Sequence, residues 1–192
     1  MTYSLRYKLA WRLQRYCRWL RLLIAGPNLR TSELADIIVK DQYFPAHQIP
    51  SELAILGELL KERCPARALE IGTARGGTLL FLTRLASPLA TIVSVDLPDG
   101  EFGGGYSRKR KSQYQRFARR KQRLYLLEGD SHSDGTLQRV KTALLDQPLD
   151  YLFIDGDHRY EGVKRDLEMY GPMVRKGGLI AFHRSEESRV GK

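Results

Sequence analysis

A glycine turn between two apolar segments is the feature that most constrains this chain. Residues 68–71 have the apolar character of a buried strand, and residues 72–77 carry three glycines. Glycine permits backbone conformations closed to other residues and lets the backbone approach a ligand closely. The pattern of residues 78–86 predicts a helix, whose first N–H groups would face a negative group on that ligand. A strand, turn and helix in this order are typical of a site for a small anionic cofactor.

Two acids narrow the choice of ligand. Glu70 stands just before the turn, where it would repel a pyrophosphate but would suit a ligand with an ammonium group or hydroxyl groups. Asp96 follows residues 91–95, a β-branched run between Pro88 and Pro98 that predicts a buried parallel strand. In nucleotide sites, an acid at this place holds the ribose hydroxyls. The glycines follow Gly-x-x-x-Gly-Gly rather than Gly-x-Gly-x-x-Gly, so dinucleotide binding is the second interpretation.

These motifs resemble those of the class I S-adenosylmethionine-dependent methyltransferases. The resemblance implies a Rossmann-like, doubly wound α/β sheet, with the glycine turn around the methionine part of the cofactor and Asp96 on its ribose. Residues 124–131 resemble the third strand and its end, where the family contacts the adenine. The implied cofactor-binding residues are Glu70, Gly72, Thr73, Gly76, Gly77, Thr78, Asp96, Asp130, Ser131 and Asp155.

A second polar group follows the apolar strand predicted over residues 149–154, at the edge where open α/β sheets bind ligands. The group consists of Asp155, Asp157 and His158. With the turn and fifth strand predicted over residues 176–183, it resembles a narrower group, the cephalosporin hydroxylase-like and sugar O-methyltransferases. Together the resemblances cover about residues 53–183. They imply methylation of a hydroxyl on a sugar or another small-molecule acceptor.

The residues at this strand end suit base-assisted methyl transfer. Transfer from a sulfonium needs an aligned nucleophile, so the protein chiefly positions an acceptor and removes its proton. An imidazole titrates near neutrality, which makes His158 the predicted general base, with Asp157 as a helper. A hard divalent cation held by carboxylates would acidify the acceptor hydroxyl. The resemblance implies the same division of roles, with Asp155 as a ligand to Mg²⁺.

One position departs from the narrower group. Its members usually carry His-Asp after the fifth strand, and that aspartate is the second metal ligand, whereas this chain has His183-Arg184. A guanidinium has only donors and stays charged, so it cannot coordinate a cation. The metal is therefore in doubt, and a structural role is predicted for His183.

The C-terminal end predicts an incomplete sheet. Residues 184–192 are polar and unpatterned, and no residues remain for the two further strands that the family fold has. We therefore expect a sheet truncated after its fifth strand. Either the chain is a fragment, or its open apolar edge pairs with a second copy to form a homo-oligomer.

The N-terminal region is strongly basic. Residues 1–30 contain seven Lys and Arg and no acid, in a chain of formal net charge +10. Leucines there recur at helical spacing, which predicts a basic amphipathic helix. The arginines interrupt any long apolar run, which argues against a signal peptide or a membrane span. We expect the helix to cover its own domain, with contact to an anionic membrane surface as the alternative.

The remaining N-terminal segments complete the predicted organisation. Residues 31–39 and 51–64 predict two more helices, with Ser51 as N-cap of the latter. We expect the proline-containing connector between them, residues 44–50, to border the cofactor site, although no spacing connects its His47 to chemistry. Two cysteines without metal spacing favour a reducing, cytoplasmic setting. Three parts result, a helical appendage over residues 1–50, a cofactor-binding α/β domain over residues 51–183 and a polar tail over residues 184–192.

A second basic stretch lies over residues 106–125, where nine Lys and Arg are interleaved with aromatic residues. It follows a glycine-rich loop over residues 98–105. Basic and aromatic residues together can bind RNA through phosphates and stacking, or can hold an anionic sugar or a lipid-linked acceptor. We expect a helix that covers the active site and exposes a solvated basic face.

Three classes of function follow from these features. The first is S-adenosylmethionine-dependent O-methylation of a small-molecule hydroxyl, with His158 as base. The second is methylation of RNA, supported only by the basic stretches. The third is a cofactor-binding module without turnover, motivated by Arg184 and the missing strands.

Overall fold

The computed structural model describes Leu22, residues 26–99 and residues 104–183. The strands are β1 (Arg67–Ile71), β2 (Thr91–Asp96), β3 (Arg123–Glu128), β4 (Leu149–Ile154) and β5 (Val174–Phe182). The helices are α1 (Thr31–Val39), α2 (Pro50–Arg63), α3 (Gly77–Leu85), α4 (Arg108–Gln115), α5 (Asp134–Ala143) and α6 (Tyr160–Tyr170), with short 3₁₀ helices at Gly26–Asn28 and Gly171–Met173.

The strands form one five-stranded sheet in the order β3-β2-β1-β4-β5, with all pairings parallel. The chain winds outward from β1 through β2 to β3, and then crosses to β4 and β5 on the other side of β1. The Rossmann-like, doubly wound sheet predicted from the sequence is therefore confirmed. Its winding reverses between β1 and β4, and open α/β sheets bind ligands outside the carboxyl ends of the strands at such a point.

Alternate residues of the strands serve two separate cores, because successive side chains in a strand point to opposite faces. Ala68 and Ile92 pack in one cluster with Phe81 of α3. Leu69 packs in the other cluster with Val140 of α5. Strands buried on both faces must be apolar throughout, which is why the sequence shows them as continuous apolar runs.

The start of α2 differs from the prediction. Ser51 is not the N-cap, because Ile49 holds that position and no side chain caps the helix. Pro50 occupies the first helical position instead. Proline is favoured there because its φ is preset and it has no N–H group to leave unpaired.

The predicted appendage is only partly described. The basic amphipathic helix lies outside the described residues apart from Leu22 and residues 26–30, and so does the tail over residues 184–192. Leu34 and Ile38 of α1 belong to the same core cluster as Leu80 of α3. Within the described ranges, no helix is long and apolar enough to cross a membrane. The domain boundaries at residues 50 and 183 stay predictions.

Gly72 holds the turn after β1 in a conformation that other residues rarely adopt. Its φ is +87°, and a Cβ placed there would lie 2.2 Å from the carbonyl oxygen of Asp155. We predict that Gly72→Ala lowers the free energy of unfolding by about 2–4 kcal/mol, because it combines backbone strain with a clash against backbone atoms. Urea denaturation measures this change.

Gly135→Ala is the matched control. Gly135 lies in α5, and a Cβ there would meet no atom within 4 Å. Alanine should leave the free energy of unfolding unchanged or raise it by up to about 1 kcal/mol. An equal decrease in the free energy of unfolding of the two variants would contradict the role assigned to Gly72.

Candidate active site at the carboxyl edge of the sheet

A cavity of about 680 Å³ opens at the carboxyl ends of β1, β2 and β4, where the winding of the sheet reverses. Seven of the residues predicted from the sequence line it, namely Gly72, Thr73, Gly77, Thr78, Asp96, Asp155 and His158. The structure therefore brings the glycine turn, the second-strand acid and the fourth-strand end together in one site.

The glycine turn is shaped by packing as well as by the cavity. Gly76 precedes α3 with a φ of +81°, and a Cβ there would lie 2.8 Å from the ring of Tyr114. A Cβ at Gly77 would lie 2.2 Å from the backbone nitrogen of Ala46. Both positions need glycine for contacts within the protein, so the turn places the first residues of α3 directly against the connector before α2.

Asp96 is the acid on the part of the cavity wall next to the glycine turn. Its carboxylate accepts hydrogen bonds from the backbone N–H groups of Thr73 at 3.1 Å and Gly105 at 2.7 Å. Burial raises the pKa of Asp96, and the backbone donors partly offset that effect. Each carboxylate oxygen keeps a further lone pair, so the group can also accept hydrogen bonds from ligand hydroxyls.

Glu70 lies behind the turn rather than on the cavity wall. It is fully buried and accepts a hydrogen bond from the Ser94 hydroxyl at 2.8 Å, and the Thr73 and Tyr106 hydroxyls also contact Ser94. Burial raises the pKa of Glu70 to about 7, although the Thr78 and Ser94 hydroxyls lower it. Its Oε1 is buried without a hydrogen-bond partner among the described residues. The predicted direct contact of Glu70 with a cofactor stays a prediction.

The other end of the cavity carries three imidazoles and one carboxyl group. The rings of His158 and His183 meet edge to face with centroids 5.9 Å apart, and His47 also lines the wall. Burial and the neighbouring His158 lower the pKa of His183. Gln48 donates from Nε2 to Asp155 Oδ2 at 2.9 Å. Burial, followed by the charge of Glu70, raises the pKa of Asp155 to about 8.

The sequence predicted that the connector borders the site, but it did not identify Gln48 as a partner of Asp155. Residues 45–50 line the cavity, including the amide of Gln48, and His183 joins it from the end of β5. Gln48 and Asp155 are 107 residues apart in the chain, so no local spacing connects them. The one available signal is the position of the connector directly before the helix that leads into β1.

The donor set does not fit a magnesium ion. Mg²⁺ requires several oxygen ligands, whereas the described residues at this end of the cavity offer imidazole nitrogens, the amide oxygen of Gln48 and the single carboxyl group of Asp155. That carboxyl group is bonded to Gln48 and is largely protonated at neutral pH because of its raised pKa. The described residues contain no group of three or more potential metal ligands. We therefore derive no chemical step through a metal, and Asp155 as a ligand stays a prediction.

Other predicted site residues lie outside the cavity lining. Asp157 forms a two-pronged ion pair with Arg159, with Nε–Oδ1 and Nη2–Oδ2 distances of 3.0 Å, and Arg159 lowers the pKa of Asp157. Asp130 is exposed and accepts the His132 N–H, and the Ser131 carbonyl accepts the Tyr170 hydroxyl at 2.8 Å. Asp157 thus supports the start of α6, and its catalytic role stays a prediction, as do the adenine contacts of Asp130 and Ser131.

The buried carboxyl groups predict a loss of stability at alkaline pH. Glu70 and Asp155 have folded-state pKa values of about 7 and about 8, above the ordinary value of about 4. The unfolded chain therefore releases these protons at a lower pH than the folded chain does. The stability that these two protons contribute is fully present below about pH 4 and is lost as the pH rises through the folded-state pKa values. Between pH 6 and pH 9 we expect a fall in the free energy of unfolding on the order of 4 kcal/mol.

Urea denaturation at several pH values measures this dependence. Glu70→Gln should flatten the fall, because glutamine has no proton to release. A slope unchanged by Glu70→Gln, or a stability that rises between the two pH values, would contradict the assignment.

Comparison with known proteins identifies the family. A family model described as a methyltransferase domain matches residues 69–184. An uncharacterised protein of Acanthamoeba polyphaga mimivirus is 46% identical over 41 residues, which are 21% of this chain and 19% of the viral one.

Solved structures share the fold at low sequence identity. The MycE methyltransferase of the mycinamycin biosynthetic pathway, in complex with Mg and S-adenosylhomocysteine (SAH), has a TM-score of 0.55 and 21% identity over 80% of this chain. This chain spans only 39% of MycE. An O-methyltransferase from Bacillus cereus in complex with SAH has a TM-score of 0.52 and 23% identity, covering 78% of this chain and 64% of that one. The family-model match settles the assignment: this chain belongs to the methyltransferase-domain family, and its resemblance to the class I S-adenosylmethionine-dependent methyltransferases is confirmed.

Proposed function

We propose that this protein transfers a methyl group from S-adenosylmethionine to a hydroxyl of a small molecule, such as a sugar. The observation that carries the proposal is a single cavity with Asp96 at one end and His158 at the other. The family supports the cofactor, and MycE and the Bacillus cereus enzyme each contain SAH. When bound, S-adenosylmethionine supplies an activated methyl group on a sulfonium sulfur.

The cofactor end suits the ribose and the methionine part. Asp96 offers carboxylate oxygens to the two ribose hydroxyls while the backbone N–H groups of Thr73 and Gly105 hold it in place. The N-terminus of α3, at Gly77 and Thr78, borders the same cavity. Unpaired N–H groups and the positive end of the helix dipole favour a carboxylate there.

The other end suits an acceptor hydroxyl. In this proposal His158, which lines the cavity, takes the hydroxyl proton as general base. The lowered pKa keeps the neighbouring His183 neutral, so His183 does not repel the positive charge that forms on His158. Asp155, largely protonated at neutral pH and held by Gln48, can position the acceptor by a hydrogen bond.

Methylation of RNA is less favoured than methylation of a small molecule. Sequence-tolerant RNA binding uses exposed aromatic rings for base stacking. Tyr106, Tyr114 and Phe117 of the basic stretch are 4%, 1% and 0% exposed, so they pack in the core. Tyr125, at 38%, is the one exposed ring of the stretch, too few for a run of stacked bases.

Transfer of a labelled methyl group tests the proposal. The protein is incubated with S-adenosylmethionine labelled in its methyl group and a panel of sugars, glycosides and phenols. We expect the label in a methyl ether, with an equal amount of SAH. Label recovered only in added RNA would contradict the proposed acceptor class. SAH binding without transfer to any acceptor would favour a cofactor-binding module.

A further inference from the structure

The basic stretch forms an exposed, unpaired surface next to the cavity. Residues 104–127 contain nine Lys and Arg and no Asp or Glu. The α4 surface is defined by seven exposed cations, Arg108, Lys109, Lys111, Arg116, Arg120, Lys121 and Arg123. No acid among the described residues forms an ion pair with any of them. Such a concentration of like charge is unfavourable alone and suits an anionic partner.

The buried rings determine what kind of anion this surface can recognise. Three of the four aromatic residues that alternate with the cations are buried, and Tyr114 and Phe117 pack against each other and against Phe44. Tyr125 on β3 is the exposed one, at 38%. The α4 surface therefore offers seven exposed cations but a single exposed ring, which cannot stack a run of successive bases. It suits an array of phosphate groups better than single-stranded RNA, whose recognition relies on stacking.

Exposed apolar side chains lie at both ends of the α4 surface. Leu97 is 48% exposed in the segment that leads into α4. Leu89 is 66% exposed in the loop before β2. That loop is tied to the α4 surface, because Gln122 donates to the Ser87 carbonyl at 2.9 Å and the Arg123 N–H donates to the Ala90 carbonyl at 2.9 Å. Cations beside apolar side chains are typical of surfaces that lie on anionic lipids.

The α4 surface also adjoins the cavity. Arg110 is close enough to Asp96 and Tyr114 for its charge to lower the pKa of each. Tyr114 donates from its hydroxyl to the carbonyl of Ala74, a cavity-lining residue, at 3.1 Å. A partner bound to the α4 surface would therefore lie beside the cavity.

We propose that the α4 surface docks on a membrane that contains anionic phospholipids. Lys and Arg bind the headgroup phosphates, and Leu89 and Leu97 enter the interfacial layer. This inference does not depend on the proposed methyl transfer, and its test needs no cofactor.

Vesicle sedimentation tests the docking. The full chain is mixed with vesicles of phosphatidylcholine alone, or of phosphatidylcholine with about 30% phosphatidylglycerol. We expect sedimentation with the anionic vesicles only, weakened by added salt because the attraction between charges is screened. Absence of binding to the anionic vesicles, or equal binding to both kinds, would overturn the proposal.

A charge-matched pair of variants locates the surface. Lys109→Glu/Lys111→Glu/Lys121→Glu should lower the vesicle partition coefficient at least about tenfold. Lys61→Glu/Lys164→Glu/Lys176→Glu changes the net charge equally at exposed lysines of α2, α6 and β5, and should retain most of the binding. Circular dichroism and thermal unfolding verify that both variants fold. If both variants lost vesicle binding equally, net charge alone would explain the binding, and the proposal would be overturned.

Two further outcomes would also overturn it. If the α4 triple variant binds like the wild type, another segment, such as the basic residues 1–30, makes the contact. If single-stranded RNA at physiological salt binds more tightly than the vesicles and displaces the protein from them, the partner is a nucleic acid.

Discussion

Asp96→Asn should weaken SAH binding by at least about 100-fold. In the proposed complex the carboxylate accepts hydrogen bonds from both ribose hydroxyls, and hydrogen bonds to a charged group contribute about 1.5–3 kcal/mol each. Loss of the charge, with an amide N–H₂ turned toward the Thr73 or Gly105 donors, removes most of that contribution. Isothermal titration calorimetry measures the dissociation constant, and thermal unfolding confirms that the variant is folded.

Asp99→Asn is the matched control. Asp99 lies three residues further along the chain, is exposed and does not line the cavity. Its φ of 54° is a conformation that asparagine tolerates. SAH affinity should change by less than about twofold. Similar affinities in the two variants would show that Asp96 does not hold the ribose.

His158→Ala should lower the rate of methyl transfer by about 100- to 10,000-fold, the usual contribution of a positioned general base. SAH affinity should stay near that of the wild type, because His158 lies at the acceptor end of the cavity. Single-turnover release of SAH, with the acceptor found in the labelling screen, separates the chemical step from binding.

His183→Ala and His47→Ala are the controls for His158. Both imidazoles line the same cavity, so they share its surroundings without the base role. We expect each substitution to lower the rate of methyl transfer less than His158→Ala does. A loss of transfer in His183→Ala that exceeds the loss in His158→Ala would move the base to the end of β5.

The strands were predictable because burial on both faces demands apolar, β-branched runs. Residues 91–95, for example, predicted the strand observed as Thr91–Asp96. The glycine turn was predictable as a break in that pattern, and its first residues, Gly72 and Thr73, lie beside Asp155 and Asp96 because β1 pairs in parallel with β4 and β2. The start of α2 was placed at Ser51 rather than Pro50, because two helix-start signals stand next to each other there.

The remaining parts of the site depend on contacts between distant segments. Gln48 reaches Asp155 only because the connector folds over the glycine turn, as its backbone contact with Gly77 shows. Glu70 stands at a position of the recognised motif. Its carboxyl group is nevertheless bonded to the Ser94 hydroxyl, which is linked in turn to the hydroxyls of Thr73 and Tyr106. Such a network has no local sequence pattern, so the position of Glu70 behind the turn could not be read from the chain.

Calorimetric titration of the wild-type protein with SAH and with NADH tests the central claim most directly. The geometry of Asp96, the glycine turn and the start of α3 predicts saturable binding of SAH with one site per chain, and no binding of NADH at the same concentrations. Binding of NADH without binding of SAH would contradict the assignment of this cavity to an S-adenosyl cofactor.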